Sequence, residues 1–165
     1  MIEAVIFDLD NTLICLPIKY EELFQQFEAI MKTDNVRPLT KTIPRLDEET
    51  RKKVFEVWEK AELEASKEMK ENSEGITIYQ SFPKQRKALV TLQGKALAET
   101  VLSKLRGLAF SAVVTREDSL DRTEQLKIIM QKLRVPPSRI LFVGDAEGDV
   151  SAARSVGCHF LKVRK

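Results

Sequence analysis

An unbroken apolar run, Ala4-Val5-Ile6-Phe7, ends abruptly in Asp8-Leu9-Asp10-Asn11-Thr12. A continuous apolar run closed by a turn signal predicts a strand buried on both faces, as in a parallel sheet. Similar runs follow at Lys87-Ala88-Leu89-Val90-Thr91, at Phe110 to Thr115, at Ile140-Leu141-Phe142-Val143 leading into Gly144-Asp145, and at His159 to Val163. Between them apolar residues recur at helical spacing. Leu97, Val101, Leu102 and Leu105 mark one helix, and Leu126, Ile129, Met130 and Leu133 mark a second over 122–134, stopped by Pro136-Pro137. Val150, Ala153 and Val156 mark a third, with Gly157 as its C-cap. Regular strand-helix alternation predicts an α/β fold: a doubly wound, five-stranded parallel sheet with right-handed crossovers and helices on both faces.

Residues 17–82 break that rhythm. Tyr20, Leu23, Phe24, Phe27, Ile30 and Met31 predict an amphipathic helix over 18–32. The polar stretch 33–46, with Pro38 and Pro44, reads as a loop. Asp47 is a good N-cap, with Glu48 and Glu49 favoured in the first turn of a second helix running to about Asn72. Asn72-Ser73-Glu74-Gly75 ends it, Ile76 to Phe82 reads as an extended return, and Pro83 marks a break. The predicted organisation is a core of 1–16 and 83–165, with a helical cap of 17–82 inserted after the first strand, over the loop that carries Asp8 and Asp10.

Composition narrows the class. The chain has 165 residues, 43% hydrophobic and 32% charged, which suits one buried core and a small second lobe. A net charge of +2 with both signs interspersed points away from nucleic acid and from a membrane surface. No apolar run approaches the roughly 18 residues of a membrane span. The chain opens on a strand rather than on a signal segment. Cys15 and Cys158 match no metal or redox spacing and read as reduced thiols of a cytoplasmic protein. Oligomeric state is not legible.

In a doubly wound sheet, ligands bind beyond the carboxyl ends of the strands. The first strand stops at Asp8, the second at Thr91 and the fourth at Gly144-Asp145, with Asp149 four residues on. Alternation along an extended chain sends Asp8 and Asp10 the same way, with Leu9 pointing back. Converging carboxylates at the end of a buried strand are costly without a cation between them, and magnesium is the simplest one that prefers oxygen ligands. The plainer alternatives are turn formation by Asp10 and Asn11, a local strand-end bond for Thr91, and a helix-dipole role for Asp149. Thr115 also ends a strand, but the Gln93-Gly94 turn and following helix favour Thr91. His159, the single histidine, lies far from these strand ends along the chain and reads as structural.

Asp8-Leu9-Asp10-Asn11-Thr12 resembles the DxDxT signature of the haloacid dehalogenase-like (HAD) superfamily. Thr91 is similar to its second motif, and Gly144-Asp145 to Asp149 resembles its GDxxxD motif, all in order across essentially the whole chain. The overall pattern looks most like the phosphoglycolate phosphatase branch, with a reduced helical cap of the C1 type. This resemblance implies a Mg²⁺-dependent phosphatase of a small phosphorylated metabolite, working through an aspartyl-phosphate intermediate. In that scheme Asp8 is the nucleophile and Asp10 the general acid and base. The metal falls to Asp8, the backbone carbonyl of Asp10, Asp145 and Asp149. Thr91, Gln93 and Gly94 hold the phosphoryl oxygens, helped by a helix N-terminus. The family's third motif, a lysine, is missing. Its place reads Leu120-Asp121-Arg122-Thr123-Glu124-Gln125, so Arg122 is the nearest cation in register, with Lys127 further on. The alternatives are a phosphomutase, a phosphonatase or a dehalogenase on the same core, or a catalytically degenerate regulatory or binding module. Asp10 argues against the dehalogenase, whose relatives lack that acid.

Overall fold

The computed structural model describes residues 1–164. In chain order its elements are β1 (Ala4–Phe7), β2 (Ile14–Cys15), α1 (Tyr20–Met31), α2 (Leu39–Thr42), α3 (Glu48–Ser66), β3 (Lys70–Glu71), α4 (Ser73–Gln80), β4 (Arg86–Val90), α5 (Lys95–Lys104), β5 (Ala112–Val114), α6 (Arg122–Leu133), β6 (Ile140–Gly144), α7 (Glu147–Val156) and β7 (His159–Lys162). Five strands form one parallel sheet in the order β5-β4-β1-β6-β7. β4 and β5 extend from β1 to one side, and β6 and β7 to the other. The strand order therefore reverses at β1, which places a crevice at its carboxyl end.

All four residues of β1 are buried, as its unbroken apolar run requires. Val5 and Phe7 face one layer, with Leu89, Leu97 and Val101. Ala4 and Ile6 face the other, with Leu126, Ile129, Phe142 and Ala153. α6 and α7 thus cover one face of the sheet, and α5 covers the opposite one.

The stretch before β4 departs from expectation. Ile76 to Phe82 is not an extended return: α4 spans Ser73–Gln80, and the preceding helix α3 stops at Ser66 rather than near Asn72. Asn72 starts a helix instead of ending one, its Oδ1 accepting from the Glu74 N–H at 3.2 Å. The β-branched pattern Ile76-Thr77-Ile78 suggests a strand, but tertiary burial overrides that propensity. The Tyr79 ring lies tilted 5.7 Å from Phe7 and edge-on 5.6 Å from Phe110, so α4 joins α5 on the sheet. Between α3 and α4, β3 pairs antiparallel with β2. The stretch expected to be a plain loop also holds α2 and a 3-10 turn at Ile43–Arg45.

α1 and α3 build a separate small core. Leu23, Phe27, Val36, Ile43, Val54 and Trp58 pack together, and Leu120 joins them from the loop before α6. Phe27 meets Trp58 edge-on at 5.7 Å. Asp47 caps α3 as its sequence implies, accepting from the Thr50 N–H at 2.7 Å.

Candidate active site

The first functional side chain is placed by the sheet itself. The Asp8 N–H donates to Val143 O at 3.0 Å, which carries the β1–β6 pairing one residue beyond the strand. The chain then turns sharply. The Thr12 and Leu13 N–H groups donate to Leu9 O at 3.2 and 2.9 Å, and Asn11 takes a left-handed φ of 63°, which asparagine tolerates. Leu9 is fully buried. Thr12 Oγ1 donates to Asp8 Oδ2 at 3.4 Å. Asp10 Oδ1 accepts from the Leu16 N–H at 3.0 Å, which ties it to the chain leaving for α1.

Asp145 follows β6, and Asp149 lies in the first turn of α7. Ligand atoms of Asp8, Asp145 and Asp149 all lie within 4.8 Å of one another. Gly144 makes room for this, because a Cβ there would sit 2.6 Å from Asp149 Oδ2. Burial pushes the Asp8 carboxyl up to about 7; Arg122 pulls it back, while Asp149 and Asp145 add to the rise. Such a raised value marks a place where more positive charge would be favourable.

Arg122 supplies part of that charge. It is the first residue of α6, behind the N-cap Asp121. Its Nη2 donates to Asp8 Oδ1 at 2.9 Å, and its Nε lies 3.0 Å from Asp149 Oδ1. One guanidinium therefore spans two of the three carboxylates. Lys127, the other cation in that stretch, pairs with Glu124 on the exposed face of the helix.

Thr91 ends β4 and is buried, and its Oγ1 accepts from the Gln93 N–H at 3.0 Å. Gly94 differs from expectation. Its N–H, assigned from sequence to a phosphoryl oxygen, donates to the Glu62 carboxylate at 3.2 and 3.3 Å. The reason is tertiary: α3 brings a carboxylate to the N-terminus of α5, which binds anions readily. Thr115 stands apart, its hydroxyl donating to Glu117 Oε2 at 2.8 Å. His159 Nε2 lies exposed, 3.0 Å from Ser138 O.

Four site residues escape sequence reasoning. Gln125 is fully buried; its Oε1 accepts from Arg122 Nη1 at 2.8 Å, and its Nε2 lies 2.8, 3.2 and 2.9 Å from the carbonyls of Thr91, Thr115 and Ser119. It ties Arg122 to the chain just beyond β4 and β5. Tyr20 opens α1 beside Asp10: burial pushes its hydroxyl up to about 12, with Asp10 adding to the rise and Gln93 opposing it. Glu62 and Arg116 form a buried ion pair. Only the i,i+3 spacing of Arg122 and Gln125 was a visible signal for any of these.

A doubly wound parallel sheet thus carries three converging carboxylates at its switch point, with one guanidinium spanning two of them. Residues 5–163 match the family described as haloacid dehalogenase-like hydrolase, and the chain belongs to it. It is 29% identical over 168 residues to an uncharacterised hydrolase of Saccharomyces cerevisiae, covering 95% of this chain and 75% of the yeast protein. Solved structures that share its fold include the following two. CbbY from Rhodobacter sphaeroides, solved with phosphate, matches at a TM-score of 0.69 and 16% identity, over 100% of this chain and 87% of CbbY. A protein from Lactobacillus plantarum, provisionally named a phosphoglycolate phosphatase, matches at 0.62 and 19% identity, over 96% and 84%. Among the described residues no helix is long and apolar enough to cross a membrane.

Proposed function

We propose that this hydrolase is a Mg²⁺-dependent phosphatase of a small phosphomonoester. The observation that carries the reading is the convergence of Asp8, Asp145, Asp149 and Arg122 at the carboxyl end of β1. Magnesium fits the donor set: three carboxylates close together, all hard oxygen ligands, around a carboxyl whose raised pKa signals missing positive charge. Asp8, Asp145, Asp149 and the Asp10 carbonyl would hold it. When bound, it supplies positive charge to the phosphoryl oxygens and lowers the cost of ionising Asp8.

The chain's own residues then divide the work. An Asp8 carboxylate oxygen attacks phosphorus, and the bond from phosphorus to the ester oxygen breaks. Asp10 gives its proton to the departing alkoxide. Asp10, now a carboxylate, takes a proton from water as that water attacks the aspartyl-phosphate. Phosphate leaves and Asp8 is restored. Arg122 offsets the repulsion between a dianionic phosphate and the carboxylate beside it. Thr91 and the loop through Gln93 cradle the phosphoryl group.

α1 and α3 serve as the cap, with Tyr20 of α1 beside Asp10. The partner is a small phosphorylated metabolite rather than nucleic acid or membrane, in keeping with a net charge of +2. The cytoplasm is the compartment proposed, since Cys15 and Cys158 match no metal or redox spacing. The decisive experiment is a screen of phosphorylated metabolites with Mg²⁺ and with EDTA. Phosphate release in Mg²⁺ alone supports the reading, and full release in EDTA overturns it. Transfer of the phosphoryl group to a second substrate instead of water would make the enzyme a mutase.

A further inference from the structure

We propose that Glu62 and Arg116 are positioning residues, a buried latch that makes the seating of cap helix α3 and the shape of the loop 91–94 one event. Its functional consequence rests on the phosphatase reading; its structural content does not.

Both side chains are completely buried. Arg116 Nη1 donates to Glu62 Oε2 and Nη2 to Oε1, each at 2.9 Å, in the two-bond arrangement that fixes geometry as well as charge. The pair then grips the loop residue by residue. Arg116 Nη1 donates to Leu92 O at 3.2 Å, the Arg116 N–H donates to Gln93 O at 3.1 Å, and Glu62 accepts from the Gly94 N–H. From the other side, the guanidinium lies 3.9 Å from the centre of the Trp58 ring and 5.2 Å from that of Phe55, both on α3. Gly94 is built into the device, since a Cβ there would lie 2.7 Å from Arg116 Nη2.

Stability does not account for this arrangement. Burying two charges costs several kcal/mol of hydration, and apolar residues of similar volume often replace such pairs at no loss. What apolar residues do not supply is direction: hydrogen bonds to three consecutive loop residues. α3 cannot lift from α5 without opening the pair or dragging the loop with it. The Thr91 hydroxyl at the head of this loop therefore keeps its working position toward a phosphoryl group only while the cap is seated.

The first test uses the wild-type protein. Residue-resolved hydrogen exchange should give the Gly94 amide and the central amides of α3 protection factors agreeing within about threefold, as for one opening unit. Gly94 exchanging through a separate, faster opening overturns the latch. The second test uses E62M/R116M, with R116K alongside in case the double variant does not fold. Exchange at 92–94 and along α3 should rise together while β1 and β6 keep their protection. With p-nitrophenyl phosphate and Mg²⁺, KM should rise by about tenfold with kcat little changed, the pattern of lost uniform binding. A folded variant with wild-type exchange and wild-type KM overturns the proposal. If the wild type does not hydrolyse the ester, the phosphatase reading loses support, and the exchange results still decide the latch.

Discussion

Arg122 Nη2 sits 2.9 Å from Asp8 Oδ1 across 114 residues of sequence, and the same guanidinium reaches Asp149. A permanent cation thus stands between two carboxylates, anchored by Gln125. Arg122→Ala should lower phosphatase turnover by about 10² or more, comparable to losing one strong electrostatic donor. Arg122→Lys should retain part of the activity, since it keeps the charge and loses the fork. Lys127→Ala should leave turnover close to wild type, because that side chain is exposed and paired with Glu124. Steady-state kinetics on the three variants checks the assignment; a harmless Arg122→Ala would return weight to a regulatory module.

Asp8→Asn should abolish turnover with the fold intact, because a carboxamide cannot replace the carboxylate nucleophile. The same variant reports on pH. The Asp8 carboxyl is raised from 3.8 to about 7, so the metal-free folded protein keeps a proton between those values that the unfolded chain releases. The associated stability is fully present below the unfolded pKa and is lost as pH rises through about 7. Asp8→Asn removes this titration. In EDTA its thermal midpoint should gain on wild type between pH 4 and pH 8 (an interval of about 4 pH units spanning the shift). Mg²⁺ at pH 8 should narrow the gap by stabilising the ionised wild type. A gap independent of pH would contradict the placement of Asp8 described above.

Asp145→Ala removes one of three converging carboxylates. It should raise the Mg²⁺ concentration needed for half-maximal activity by about tenfold or more, the scale on which metal sites respond to altered ligation. EDTA should abolish wild-type activity and Mg²⁺ restore it. Titrating Mg²⁺ against initial rate separates this from a folding defect, since a folding defect leaves the half-saturation point unmoved.

The stretch between β2 and β4 makes a prediction about boundaries. α4 lies between Phe7 and Phe110 on the sheet, and Tyr79 Oη donates to Ala109 O at 2.9 Å. Tyr79→Ala should cost about 2–4 kcal/mol, somewhat less than truncating a fully buried aromatic. Deleting α1 and α3 while retaining β3 and α4 should spare the sheet and change substrate preference. A deletion running through α4 should unfold it. Tyr20→Phe, which removes only the hydroxyl beside Asp10, should shift relative kcat/KM among phosphate esters without moving the thermal midpoint by more than about 2 °C, as for a surface-scale change. Denaturant melts and a substrate panel distinguish these outcomes.

Local pattern was enough for the sheet, for α5, α6 and α7 and for the three aspartates at its carboxyl edge. A strand buried on both faces must be apolar along its whole length, so Ala4-Val5-Ile6-Phe7 and Ile140-Leu141-Phe142-Val143 announce themselves, and the residues at their ends are then the ones at the crevice. Asp47 as an N-cap and Arg122 as the first-turn cation are legible for the same reason, because each depends on its neighbours in sequence. The tertiary structure alone decided the rest. Ile76-Thr77-Ile78 has the local preference of a strand, and only contact with Phe7 and Phe110 makes it a helix. Gly94 gives up its N–H to Glu62, 32 residues away, and Gln125 reaches back 34 residues to the end of β4. Hydrogen bonds and ion pairs across such distances leave no periodicity behind, since nothing about the spacing of two residues records that packing will bring their side chains together.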